Sequence, residues 1–225
     1  MRGYNYLTVF IERAPTLLNA LGEHLFMTIV AVLLGCIVSI PLGIYLTRTK
    51  IAWIRSATFT ITNIFQTIPS LAMLGILLPL LGVGLVPAIV ALFLYSLMPV
   101  LRNTYAGFNS IDQGVIQSAI GMGYSPAQRL LQIELPLAIP YIMSGIRLTT
   151  VYIVNWATLA TLIGAGGLGE PIISGLGVYD KPLIFAAAIL SMLLALVADF
   201  LLGLVEKAFF KKNYGKKKKQ LNTEV

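Results

Sequence analysis

The sequence predicts an all-α, polytopic membrane protein with five core transmembrane helices, on three observations. First, hydrophobic residues make up 57% of the 225 and charged residues only 11%, against about 25% charged in a soluble domain; mean hydropathy is +0.85. Second, the apolar residues fall in charge-free stretches sized for one or two crossings, each crossing needing about 20 residues. Third, the 16 Lys and Arg residues lie in short runs between those stretches. That is the pattern of membrane topology, not of a nucleic-acid footprint, and no nucleic-acid partner is expected. The composition excludes a disordered chain. A single cysteine, Cys36, excludes a disulfide scaffold.

The elements follow in order. The first 24 residues carry Arg2, Glu12, Arg13, Pro15 and Glu23, so they do not read as a secretory signal peptide. Residues 4–20 are apolar but short and interrupted, and they read as an interfacial helix; a sixth, distorted span is the alternative. Residues 25–46 hold no charge and form the first span. Residues 56–101 are 46 residues without a charge, enough for two spans. Gly82-Val83-Gly84 divides them into spans near 56–80 and 85–107, which Pro69, Pro79, Pro87 and Pro99 kink or end. Residues 135–163 form the fourth span, with Arg147 inside. Residues 164–181 are rich in Gly and read as a loop, in part re-entrant. Residues 182–206 contain the fifth span, with Asp199 inside. The domain division is therefore a segment 1–20, a transmembrane domain 21–210 with a connecting segment 110–136, and a basic tail 211–225.

Five spans put the termini on opposite sides. With the C-terminus in the cytoplasm, 12 Lys and Arg lie inside and three outside, so the positive-inside rule places the N-terminus out. The Lys216–Lys219 run then lies near anionic lipid, and membrane lipid is an expected partner.

The cytoplasmic segment 110–136 is the most informative. Ser110 or Asp112 is placed to cap a helix starting at Gln113. Ile116, Ala119, Ile120 and Gly123 share one helical face. Gly121 and Gly123 allow a turn. Ser125, Pro126 and Gln128 have the spacing of a capping box with proline at the first helical position. Small residues here let another protein approach the backbone; an ordinary inter-span loop with incidental caps is the alternative.

This stretch resembles the signature of ABC-importer permeases: Glu-Ala-Ala, three residues, Gly, nine residues, Ile-x-Leu-Pro. Gln117-Ser118-Ala119 occupy the triplet, followed at the right spacing by Gly123 and by Ile133-Glu134-Leu135-Pro136. Gln117 and Ser118 stand where the family has Glu and Ala. The resemblance runs over residues 20–210. Gly22-Glu23-His24-Leu25, Gln66-Thr67-Ile68-Pro69-Ser70-Leu71-Ala72, Leu101-Arg102-Asn103-Thr104-Tyr105, Trp156-Ala157-Thr158-Leu159-Ala160 and Gly164-Ala165-Gly166-Gly167-Leu168-Gly169 look like the osmoprotectant branch, whose permeases serve glycine betaine, carnitine and choline.

The resemblance implies the MetI-like fold of a type I importer in the plasma membrane of a bacterium. It implies an ATPase-coupling helix carried by Gln117, Ser118, Ala119, Gly123, Ile133, Leu135 and Pro136, and an outer gate at Gly166 and Gly167. It implies an ATP-binding subunit dimer, a second permease copy or similar subunit, and an extracellular substrate-binding protein. No cofactor is expected in this chain; ATP and Mg belong to the partner ATPase, so the chain is not itself an enzyme. A methionine or other amino acid importer is the nearest alternative, and a secondary transporter or channel the alternative from another class.

Arg147 lies 11 residues past Pro136 and Asp199 eight before Lys207, or about 16 and 12 Å into the membrane. Similar depth makes them a candidate intramembrane ion pair. Gln66, Pro69, Tyr95, Asn155 and Trp156 are candidate pathway residues, with Asn63 and Tyr152 beside them. An aromatic face suits a quaternary ammonium by cation–π attraction, and interhelical packing is the alternative use. His24 reads as solitary and interfacial, with no metal site. Cys36 reads as a small apolar residue. The glycine run lacks the Gly-Lys-Ser/Thr ending of a phosphate loop.

Overall fold

Inside a bilayer each backbone N–H and C=O has to be satisfied within the protein, and helix is how a single chain segment does this. The computed structural model describes residues 10–221, with side chains to residue 209, and no strand occurs among the described residues. The order is α1 (Ala14–Arg48), α2 (Ala52–Thr67), α3 (Ser70–Leu81), α4 (Leu85–Asn109), α5 (Gln113–Gly121) and α6 (Pro126–Arg129). A π-helical turn, Leu130–Glu134, leads into α7 (Leu135–Ala157). A 3-10 turn, Thr158–Ile163, ends that span, and α8 (Gly169–Val178) and α9 (Lys181–Leu221) follow. Four stretches are long and apolar enough to cross a membrane: Ala14–Arg48, Leu85–Asn109, Pro126–Ile163 and Lys181–Phe209. The pair α2–α3 is long and apolar enough only when taken together, and it is bent by 99°, the shape of a broken span or of a re-entrant loop.

The central helix is α4. In its most apolar stretch 61% is buried, against 6% for α9. It packs on α1 along one side and on α7 along the other, and α7 packs on α9. The α1–α4 seam is close because Ala31, Gly35, Ser39 and Gly43 put a small, buried residue every fourth position along α1. Ser39 Oγ donates to Leu97 O at 3.0 Å and Ser96 Oγ to Ala31 O at 3.4 Å. The main apolar core gathers Met27, Val32, Met73, Leu92 and Ile153 around this seam.

Three expectations about elements change. Residues 14–20 are not part of a separate interfacial helix: residues 10–12 are helical, Arg13 turns, and α1 runs unbroken from Ala14, while residues 4–9 lie outside the described residues. Pro15 is tolerated because it sits in the first turn, and Leu17 is buried against Leu183, Ala186 and Ala187 of α9. Residues 164–181 are not all loop. With Glu170 and Pro171 in its first turn, α8 starts cleanly and stops where Tyr179 turns left-handed at φ 57. The last helix continues past 206 to Leu221, into the tail; lysine is a good helix former. The break expected at Gly82-Val83-Gly84 separates α3 from α4, with φ +79 at Gly82 and +105 at Gly84.

Candidate functional site

Three regions carry the candidate residues. The first is the cytoplasmic connector between α4 and α7. Asp112 caps α5 by accepting from the Gly114 N–H at 2.6 Å. At the other end the Tyr124 N–H donates to Ala119 O at 3.1 Å and the Gly123 N–H to Ile120 O at 2.9 Å. This is the bond pair of a Schellman cap, with Gly123 in its left-handed position at φ +81. Ser125 and Gln128 then exchange both bonds of a capping box at the start of α6. A helix, a tight turn and a second helix start are thus closed by local hydrogen bonds.

What this connector exposes differs from the expectation in one place. Gln117, Ser118 and Gly123 are exposed, and Met122 is 67% exposed. Ala119 is 0% exposed. It is the residue by which α5 rests on its own chain, so it is closed to a partner's close approach. Ile116 and Leu130 extend that contact to Phe108, Ile111, Ala138 and Ile142. Ile133, Leu135 and Pro136 are half-buried where the connector enters α7.

Glu134, inside the same motif, was not singled out from the sequence. It is 1% exposed. Arg48 Nη2 donates to its Oε2 and Arg129 Nε donates to Oε1 at 2.7 Å. The available signal was a carboxylate entering an apolar span, a costly placement without a cation. The Arg48 partner is 86 residues away and has no local trace in the sequence.

The second region is the elbow between α2 and α3. Pro69 cannot donate a backbone N–H and, at its break, leaves carbonyls open. Tyr95 of α4, 3% exposed, donates its hydroxyl to Ile68 O at 2.7 Å. Its ring lies 4.4 Å from that of Trp156, which lies 5.8 Å from Tyr152. The structure therefore brings Tyr95, Tyr152 and Trp156 together beside the elbow. Gln66 is half-buried, and Pro69 and Asn155 are exposed. Ser56, Thr60, Asn63 and Thr67, spaced to share one face of α2, are all exposed.

The third region is the glycine loop. Gly166 and Gly167 have φ +76 and +83. The Gly167 N–H donates to Glu23 Oε2 at 2.9 Å and the Leu168 N–H to His24 Nδ1 at 3.3 Å. His24 Nε2 donates to Val154 O at 2.9 Å. His24 is thus not solitary: it is 0% exposed and joins α1, α7 and the loop. An N–H on one side and a carbonyl on the other require the neutral ring with its proton on Nε2. An open pocket of about 340 Å³ between Glu23, Thr161, Gly164, Gly166 and Glu170 lies over this loop.

Arg147 and Asp199 meet across α7 and α9. Arg147 Nη2 donates to Asp199 Oδ2 at 2.6 Å and Nε donates to Oδ1; Nη1 lies 3.7 Å from Glu206 Oε2. The pair lines an open groove of about 500 Å³. Among the described residues no group of three or more His, Cys, Asp or Glu gathers as a metal site.

Residues 39–211 match the binding-protein-dependent transport system inner membrane component family. Over 204 residues the chain is 45% identical to a glycine betaine/carnitine/choline transport system permease protein, OpuCB, of Bacillus subtilis, covering 90% of this chain and 93% of that one. It is 48% identical over 185 residues to the choline transport system permease protein OpuBB of the same organism, covering 82% and 84%. Among solved structures, an inward-facing MetNI methionine ABC transporter superposes with TM-score 0.75 at 26% identity, covering 83% of this chain and 93% of that chain.

Proposed function

The chain belongs to the binding-protein-dependent transport system inner membrane components, and from that premise we propose that it is the transmembrane subunit of an ATP-driven importer of compatible solutes such as glycine betaine, carnitine or choline. It works in the plasma membrane of a bacterium, N-terminus out and C-terminus in. Two copies, or this chain and a similar subunit, enclose the pathway. A substrate-binding protein delivers solute from outside, and two ATPase subunits, which hold ATP and Mg, dock below.

The observation that carries this reading is the connector Gln113–Gln128. Its caps are all internal, so it stands as a preformed element whose exposed Gln117, Ser118 and Met122 are left for another protein. The coupling set Gln117, Ser118, Gly123, Ile133, Leu135 and Pro136 divides by role. The first two offer contact, Gly123 makes the turn, and the last three carry the connector into α7. Solute passes the elbow of α2–α3, where the partly open rings of Tyr152 and Trp156 and the amides of Gln66 and Asn155 give weak, reversible contacts. A weak path suits a transporter, because a tight site slows release. The glycine loop at Gly166 and Gly167 closes the outer end.

The test is purification of the tagged chain from membranes, with ATPase assay of what accompanies it. At φ +81 any side chain is strained, by about 1–2 kcal/mol. Gly123→Asp is therefore expected to detach the ATPase or uncouple it. The purified assembly, supplied with its binding protein, is expected to take up betaine, carnitine or choline only with ATP. Uptake of methionine alone would move the chain to the amino acid importers, and uptake without ATP would make it a secondary transporter.

A further inference from the structure

Among the described residues Glu134 is the only carboxylate that is buried. Its two arginine partners do different jobs. Arg129 is local. Five residues apart, two side chains stand about 140° apart round an α-helix and do not meet. The π-helical turn Leu130–Glu134 changes that, because its bonds close over five residues and stack such positions. Arg48 is remote. It is the last residue of α1, where a cation is also favoured by the helix dipole. After three residues the chain enters α2, the helix that runs to the elbow.

Glu134 thus sits at a three-way joint between the connector, the entry of α7 and the end of α1. We infer that Glu134 and Arg48 are a positioning pair that carries displacement of the cytoplasmic connector to the α1–α2 junction. This rests on the importer reading above and says which residues transmit the stroke. Ile116 of the connector and Ile40 and Ile44 of α1 also pack against one shared apolar cluster, Phe108, Ile111, Ala138 and Ile142. Such contacts are non-directional and let surfaces slide. Arg129 bonds only Oε1, so release of Arg48 leaves the buried Oε2 without its donor, a cost that sliding apolar contacts do not carry. When the connector and α7 move, Arg48 is therefore held to Glu134, and α1 and the start of α2 move with them.

The test uses the whole assembly of permease, ATPase and binding protein in liposomes, measuring solute taken up per ATP hydrolysed. R48M and E134Q are expected to keep bound ATPase and hydrolysis within about twofold of wild type, while uptake per ATP falls about tenfold, since the link and not the docking surface is cut. R129M, which cuts the local arm, is expected to leave the ratio within about twofold, and R48K to recover most of it, because a point charge still pairs. The R48M/E134Q double variant is expected to be no worse than the worse single, as for two groups acting as one unit. Arg48 has a 41% exposed side chain, so R48M decides if E134Q does not assemble. A wild-type ratio in R48M overturns the inference. So do multiplicative losses in the double variant, or failure of R48M to assemble, which would make the pair a fold element alone. A wild-type assembly without ATP-driven uptake removes the importer reading instead.

Discussion

His24 holds its place through a geometry that few side chains can copy. It accepts from the Leu168 N–H on one side and donates to Val154 O on the other, fully enclosed. Replacement by phenylalanine keeps the ring and removes both bonds. The Leu168 N–H is then left without its partner, a loss of about 1–3 kcal/mol. His24→Phe is expected to lower the thermal midpoint of the detergent-solubilised protein and to open the glycine loop to protease; an unchanged midpoint and cleavage pattern would refute the role. Gly166 tells the same story from the other strand of contacts. A Cβ there would collide with the Glu23 carboxylate, and φ is +76. None of this was legible locally. Gly-Glu-His-Leu looks like the polar edge of a span, and its partners lie 130 and 144 residues on. The Arg147–Asp199 contact was legible, because two opposite charges at similar depth in apolar spans have few other choices.

At the scale of elements, the α1–α4 seam depends on small residues in register. A Cβ on Gly43 would come within 2.8 Å of Thr104, and one on Gly35 would collide with Ser96. Without a hydrophobic drive between helices in lipid, close backbone approach supplies the attraction. Gly35→Leu is expected to cost at least about 1–3 kcal/mol, the usual range for overpacking. Reduced yield of folded protein in membranes, relative to Gly22→Leu where the site is open, is the measurement; equal yields would refute it. The connector was legible because its caps are short-range: Asp112, Gly123, Ser125 and Gln128 are all in one 27-residue stretch. Helix α8 was not, because glycine and proline read as breakers. Gly169 and Gly175 are instead small where Thr158 and Ile184 press against the helix. The elbow was half legible. Pro69 signalled a kink, but the 99° bend is held by Tyr95, which comes from another helix.

For the whole molecule, orientation comes from arithmetic on charges and is open to a direct test. Fluorescent protein fused to the C-terminus is expected to fluoresce. A cysteine at Gln117 is expected to resist an impermeant thiol reagent in intact cells, and one at Glu170 to react; the reverse pattern would invert the topology. By itself, the sequence determined that this chain is built of apolar helices of membrane-crossing length, where the apolar stretches fall, and which stretch forms the capped connector. Those are consequences of transfer free energy and of bonds between residues a few positions apart, and both are written in composition and spacing. Only the tertiary structure decided which polar groups the protein keeps for itself: His24 on the glycine loop, Tyr95 on the elbow, Glu134 between two arginines. In a low-dielectric interior a buried polar group costs free energy unless its partner is in place, most of all a charged one. That partner is fixed by how helices distant in sequence pack, which no local pattern encodes.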